Sequence, residues 1–369
     1  MNLPMRFQCS SCGRSLGYEG LCWKCQDEAE RRAILSLSPE QLEEKIQHLL
    51  DHAELLDDWD TAEYRDARNL LELLNICPPE LQQAAFQAEV FSFDELYYHA
   101  PADVRDGLIA RLLETTDAQE ASELMCCLAM QGDDITLQVL LELEQNPRPW
   151  RQELYIDPSV YAQYGGWTFD KAGRRRLLNF DTCYLLEKSD GKQETIRLAV
   201  PREDHCPHCG SRLVDILVLD GTDERLRFLG IDGIFTATCC LNCICFAEAS
   251  FSRYTLDGGS TPLSTTMLVE DVESCFEEDY LAEMAANSFA LGANPVPLFY
   301  GADRDDLNTI GGFANWVQDW NYTTCPDCGK PMKYLAQLPW ETLLEDAEGT
   351  LYIEVCPDCQ VASVHYQQT

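Results

Sequence analysis

"TCPDCGKPMKYLAQL", residues 324–338, decides how the C-terminal half of this chain is built. Its Cys-Pro-x-Cys-Gly turn leads through a basic residue into an apolar, strand-like run, and "HCPHCGSRLVDIL" at 205–217 repeats the device. Each turn has a partner pair downstream: Cys206 and Cys209 are answered by Cys240 and Cys243, and Cys325 and Cys328 by Cys356 and Cys359. In both copies a glycine, Gly233 or Gly349, opens an apolar strand that reaches the first cysteine of the second pair seven residues later. The shared offset argues for a duplicated zinc ribbon, in which a strand pair carries one cysteine turn back to the other. Four thiolates complete a tetrahedron and leave no open position for water, so these cysteines read as struts rather than catalysts. Cys239 and Cys245 flank the second turn of the first copy, and Cys239 could replace Cys240 as a ligand; Cys240 keeps the two-residue spacing. His205 and His208 stand beside the same set, where four cysteines already suffice.

A third set opens the chain. "CSSCGRSLGYEGLCWKC", residues 9–25, places Cys9, Cys12, Cys22 and Cys25 as two Cys-x2-Cys pairs across a glycine-rich loop, a segment with almost no core of its own. Twelve of the chain's 19 cysteines are thus assigned to three sites of four cysteines each, and the expected cofactor is structural zinc at each. The spacing alone does not choose zinc over iron.

Between the first set and the ribbons the pattern is helical. "SPEQ" offers Ser38 as N-cap, Pro39 at the first helical position and Gln41 as its capping-box partner, followed by Leu42, Ile46, Leu49 and Leu50 on one face. Val104, Leu108 and Leu112 form a second stripe, and two further short helices break at Gly132-Asp133. Successive short helices are expected to stack as hairpins, with a composition resembling HEAT repeats. His48 and His52 stand four apart here, but "HLLDH" shows no third ligand and reads as exposed surface. Cys77, Cys126 and Cys127 read as small buried hydrophobes. The Arg174–Arg176 run is expected to clamp onto the chain's own acidic surface, and "CYLLEKSDGKQETIRLAV" to form a hairpin about Asp190-Gly191. The expected fold class is therefore multidomain α+β: a four-cysteine zinc ribbon at 1–30, an α-helical HEAT-like stack at 36–150, a connecting segment with a β-hairpin at 151–200, and a β-rich module with two zinc-ribbon repeats at 201–369.

"GGFANWVQDWNYTTCPDCGKPMKYLAQL", residues 311–338, resembles the signature of the YwqG-like family at Gly311, Gly312, Trp316, Gln318, Cys325, Cys328, Gly329, Met332, Leu335 and Gln337. A related arrangement occurs in the programmed-cell-death-protein-2 family, whose members resemble dedicated chaperones for a basic ribosomal protein. YwqG-like domains also recur among immunity proteins that neutralise bacterial polymorphic toxins. The resemblance implies no enzymatic activity and covers the C-terminal half.

Charge points the same way. With 27 basic against 63 acidic residues the formal net charge is −36, a field that repels nucleic acid and anionic membranes and attracts basic proteins. No run of 18 apolar residues and no signal-peptide core occur, so a cytoplasmic location is expected. No Ser-His-Asp pattern, metalloprotease helix or redox unit can be read, and "DGGSTPL" at 257–263 lacks the lysine of a phosphate loop. The expected function is an immunity protein that occludes the toxic domain of a cognate Rhs-type effector, with an acidic chaperone for a basic client such as a ribosomal protein as the alternative. The candidate contact residues are Asp57, Asp58 and Asp60 in one acidic run, and Glu270, Asp271, Glu277, Glu278 and Asp279 in another.

Overall fold

The computed structural model describes residues 7–191, 195–263, 265–269, 272, 278–302, 304, 306–344 and 347–368. The chain is helical in its N-terminal half and β-rich in its C-terminal half, with four-cysteine clusters near its start, middle and end. Its contacts divide it into two units, Met1–Leu96 and Tyr97–Thr369, so the helical stretch is shared between them.

In the first unit, β1 (Phe7–Gln8) and β2 (Ser15–Leu16) pair antiparallel around the first cysteine turn, and Cys22 is the N-cap of α1 (Trp23–Leu35). The helices α2 (Pro39–Asp51), α3 (Ala62–Leu74) and α4 (Pro79–Gln87) follow. Helix α2 starts with the expected reciprocal cap: Gln41 N–H donates to Ser38 Oγ at 3.3 Å, and Ser38 N–H donates to Gln41 Oε1 at 2.9 Å. Two orphan donors are satisfied at once, which is why that tetrapeptide sets the helix start. Helix α3 buries Leu70, Leu71 and Leu73, while its Glu72 receives Arg68 at 2.8 Å and Arg31 of α1 at 3.4 Å. Charge is retained in that core only because it is paired.

The second unit begins with α5 (Ala102–Glu114), α6 (Ala118–Gln131) and α7 (Asp134–Gln145), and Val104, Leu108 and Leu112 are fully buried as the stripe requires. Gly132 ends α6 with φ +60°, and Asp133 caps α7 by accepting from the N–H groups of Ile135 and Thr136. A small ribbon, β3 (Trp167–Phe169) with β4 (Arg175–Leu177), docks on α6, where Trp167 Nε1 donates to Ala129 O at 2.8 Å. The approach is so close that a Cβ on Gly165 would lie 2.0 Å from the same oxygen.

The rest is two sheets. β6 (Ile196–His205), β7 (Arg212–Asp220) and β8 (Ile234–Cys239) form one; the other has eight antiparallel strands. Its members are β5 (Cys183–Lys188), β9 (Ser250–Tyr254), β10 (Ser260–Pro262), β11 (Phe289–Leu291), β12 (Asn308–Gly311), β13 (Lys333–Pro339), β14 (Thr350–Cys356) and β15 (Val361–Gln367). They run in the order β10-β9-β15-β14-β13-β12-β5-β11. The main core lies between the sheets, with Ile216, Leu219 and Phe235 from one and Leu338, Leu351, Ile353 and Val364 from the other. The hairpin expected about Asp190-Gly191 does not form: β5 pairs with β12 and β11, whereas β6 pairs with β7. Tyr184 and Leu186 of β5 and Ile196 and Leu198 of β6 then enter one core from different sheets, burying both apolar faces.

The two ribbons superimpose by register. Val214 faces Cys239, Asp215 faces Thr238 and Leu217 faces Ala237; in the later copy Lys333 faces Val355, Tyr334 faces Glu354 and Ala336 faces Ile353. Counted from each first cysteine, the β-bulge falls at the same place, past Asp215 and past Tyr334. Both hairpins close with the same bond, Gly221 N–H to Gly233 O and Trp340 N–H to Gly349 O, each 2.9 Å. A bulge shared at one register position is a built feature, and it carries the duplication read from the glycine offset into three dimensions.

Candidate metal centres

Three cysteine turns share one conformation. Cys9 N–H donates to Arg14 O at 2.8 Å and Gly13 N–H to Cys9 O at 2.9 Å; the same pair of bonds recurs at Cys206 with Ser211 and Gly210, and at Cys325 with Lys330 and Gly329. Gly13, Gly210 and Gly329 take φ of +77°, +77° and +65°, a left-handed conformation that glycine enters without cost. The turn points both thiols of each Cys-x2-Cys to one side.

Opposite each turn a second pair closes the set: Cys22 and Cys25 at the start of α1, Cys240 and Cys243 about the short α8 (Leu241–Ile244), and Cys356 and Cys359 after β14. In each group of four the Sγ atoms lie within 4.8 Å of one another, so each could hold a metal ion. Measured edges are 3.6 Å for Cys12–Cys22, 3.7 Å for Cys206–Cys243, 3.5 Å for Cys209–Cys240 and 3.8 Å for Cys328–Cys356. A tetrahedron of sulfurs about 2.3 Å from a central ion has edges of about 3.8 Å. The geometry thus fits a metal with four thiolates. Of the two adjacent cysteines in the first ribbon, Cys240 joins the cluster, while Cys239 ends β8 in the apolar core beside Leu241 and Ile244. His205 and His208 are not among the ligand groups.

Each centre holds one thiol whose pKa lies below the ordinary value. Cys9 falls to about 6 because N–H groups of Cys12 and Cys22 point at it, the latter at 3.2 Å from its Sγ. Burial pushes Cys209 up, but the hydroxyl and N–H of Ser211 with the neighbouring thiols outweigh it and bring it to about 6. In the third centre burial opposes and the Lys330 N–H favours a lowered Cys328. Burial raises Cys240 to about 12 and Cys359 to about 11. A thiolate, not a thiol, binds metal, so the lowered cysteine of each set is the natural first ligand.

The signature segment after Gly311 serves the same sheet. Gly311 and Gly312 have φ of +74° and +71°, and side chains there would meet Thr182 O at 2.1 Å and Leu298 O at 2.6 Å. Gln337, fully buried, accepts from Asn315 N–H at 2.8 Å and donates to Gly301 O at 3.1 Å; Gln367 accepts from Gln318 N–H at 3.0 Å. Trp316 packs on Tyr352 at 4.6 Å and near His365 at 6.0 Å. On β14 the fully buried Glu354 accepts from Thr323 N–H at 2.8 Å, and burial pushes its carboxyl up to about 8. Glu354 Oε1 and both ring nitrogens of His365 have no hydrogen-bond partner among the described residues. Nothing in the sequence marked these two positions, since a polar residue every second place in a strand reads as solvent-facing.

Asp57, Asp58 and Asp60 are exposed, and between them Trp59 is 73% exposed, although a lone tryptophan in an acidic run carries no signal of exposure in the sequence. Asp279 is exposed on α9 (Glu278–Ala286), which Glu278 opens; Glu270, Asp271 and Glu277 lie outside the described residues. Arg174 pairs with Asp170 at 2.7 Å as a clamp would, but Arg175 lies over the Trp167 ring instead. Cys127 is buried, whereas Cys77 and Cys126 are half-buried. His48 and His52 are both exposed, and Glu63 of α3 meets His48. No helix is long and apolar enough to cross a membrane among the described residues.

The chain is similar to YpfL, an uncharacterized protein of Salmonella typhimurium, at 29% identity over 348 residues that take in 89% of this chain and 78% of that one. No family model matches it, and no solved structure matches it.

Proposed function

We propose that this protein acts by binding rather than by catalysis, as a cytoplasmic immunity protein that covers the toxic domain of a cognate polymorphic effector. The carrying observation is the face around Asp57–Asp60, where an exposed Trp59 stands among three exposed carboxylates in a chain of net charge −36. An aromatic anchor within a charged rim is the usual energetic centre of a protein interface, and the acid excess selects a basic partner and disfavours nucleic acid. In this reading zinc fills all three four-cysteine centres. With four thiolates each they leave no site for substrate or water and serve to hold the binding surfaces in shape.

Affinity purification of the native protein at low salt, followed by mass spectrometry, tests the reading. A basic toxin domain should be recovered, with an association rate that falls about 10- to 1,000-fold as salt is raised. Trp59→Ala should release it without altering metal content. Recovery of a ribosomal protein in place of a toxin would replace the immunity reading with that of a chaperone, and unchanged capture by Trp59→Ala would remove this face from the interface.

A further inference from the structure

The three-stranded sheet leaves one long edge open. β6, of 10 residues, pairs with β7 alone, and among the described residues no hydrogen bond joins the outer edge of Ile196–Pro201 to another element. Along that edge runs a cavity of about 570 Å3, within the range of ligand sites. Residues of a strand alternate between its two faces. This cavity is lined by every residue from Ile196 to Pro201, so it follows the backbone itself and not one face of the sheet. Its far wall includes Ala285, Asn287 and Phe289, where α9 leads into β11, the last strand of the eight-stranded sheet. Asn287 is fixed there by donating from Nδ2 to Leu343 O at 2.8 Å and to Glu283 O at 3.1 Å. Midway along the cleft Ala199 takes φ +51°, a left-handed conformation that a residue with a Cβ keeps only where its surroundings demand it.

We propose that this cleft takes an extended segment of a partner polypeptide as an added strand on β6, with an acidic side chain of that segment set against Arg197. The open edge presents backbone N–H and C=O groups at strand spacing, and another extended backbone is the complement to such a row. Edges are ordinarily blunted by proline or by charge. Here Pro201 and the charged Arg202, Glu203 and Asp204 blunt the far end of β6, whereas Ile196–Val200 carries the single charge of Arg197. Arg197 is exposed, lines the cleft and has no ion-pair partner among the described residues, so a carboxylate opposite it would form a cross-strand pair. Apolar residues alternating with the polar ones would face Phe289. The proposal does not rest on the immunity reading, since Trp59 belongs to the first unit and the cleft to the second.

The test titrates full-length protein into the dye-labelled, end-capped peptide Thr-Val-Thr-Val-Glu-Val-Thr-Val and follows fluorescence anisotropy. Saturable binding is expected, and the same peptide with every backbone N–H methylated should bind more than about tenfold more weakly, since it cannot donate to the edge. Hydrogen exchange at Ile196–Val200 should slow on binding by about tenfold. Arg197→Glu should weaken the peptide about fivefold and favour its counterpart with lysine in place of glutamate. Ala285→Trp, which fills the cleft from an exposed position, should remove binding with the thermal midpoint unchanged, whereas Trp59→Ala should leave binding as it was. No rise in anisotropy, equal binding of the methylated peptide, or protection that appears away from β6 would overturn the site; equal affinities of Arg197→Glu and wild type would refute the acidic requirement.

Discussion

The first and third cysteine centres use the same turn, bond for bond, yet they sit in opposite surroundings. At the first, the flanking strands β1 and β2 are two residues long and Cys12 is exposed. At the third, β13 and β14 have seven residues each, and Cys325 and Cys356 are fully buried against Met332 and Val361 in an eight-stranded sheet. The difference teaches that a metal knuckle can be either the whole reason a segment folds or one strut among many. In the first case metal binding and local folding are one event; in the third the sheet supplies apolar burial of its own.

Replacing one ligand in each centre gives the widest contrast. Cys325→Ser should lower the midpoint of the second unit's cooperative transition strongly without abolishing it, since a buried centre loses both its ion and the packing around it while the rest of the sheet keeps its core. Cys9→Ser should leave that transition in place and remove amide protection only around Phe7–Cys25. Calorimetry with hydrogen exchange distinguishes the two, and a metal-replete Cys325→Ser protein with native unfolding would end the strut reading.

A finer comparison sets the ribbon hairpins against the knuckles. Gly233 and Gly349 have φ of +150° and +89°, and a Cβ would stand 2.3 Å from Leu256 O and 2.6 Å from Gln367 O. Alanine at either should cost upwards of about 3 kcal/mol through backbone strain plus collision. Gly210 and Gly329 also have positive φ, but nothing lies within 4 Å of an added Cβ. Alanine there should cost about 1 kcal/mol from strain alone. Denaturant midpoints of the four variants check the order, and equal losses would show that the close approaches do not matter.

The smallest effect at neutral pH is expected at His365. Burial between Trp316 and Tyr352 pulls its imidazole down to about 3 from an ordinary 6.5. The unfolded chain therefore binds this proton more readily, so the stability associated with the neutral ring is full above pH 6.5 and is lost as pH falls toward 3. His365→Phe keeps an aromatic side chain and removes two orphaned nitrogens, but its larger ring must fit a fully buried site, so the two effects oppose and stability at about pH 7 should stay within about 1 kcal/mol of the wild type. Its stability should also fall less steeply than that of the wild type between pH 6.5 and 3. Parallel profiles would show that the imidazole is hydrated after all.

Much of this was legible beforehand because it rests on local rules. The Ser38 cap, the Val104–Leu108–Leu112 stripe and the break at Gly132-Asp133 depend on residues within a turn or two of one another. The cysteine sets were legible for a related reason: a Cys-x2-Cys turn is complete within a few residues, and the Gly233 and Gly349 offsets repeat a strand length. The failed hairpin at Asp190-Gly191 shows the limit. The turn dipeptide and both strands are there, but pairing is a choice among partners far along the chain, and burying two apolar faces between sheets outweighs closing one tight turn.

The sequence by itself determined where helices begin, where metal ligands stand and how strongly the chain repels anions, since these follow from residue type and short spacing. Only the tertiary structure decided that Cys239 turns into the core while Cys240 joins the centre, that Glu354 and His365 are fully buried, and that Glu63 meets His48. Each depends on which elements pack together, and packing is settled by the sum of buried surface over the whole unit rather than by any one stretch.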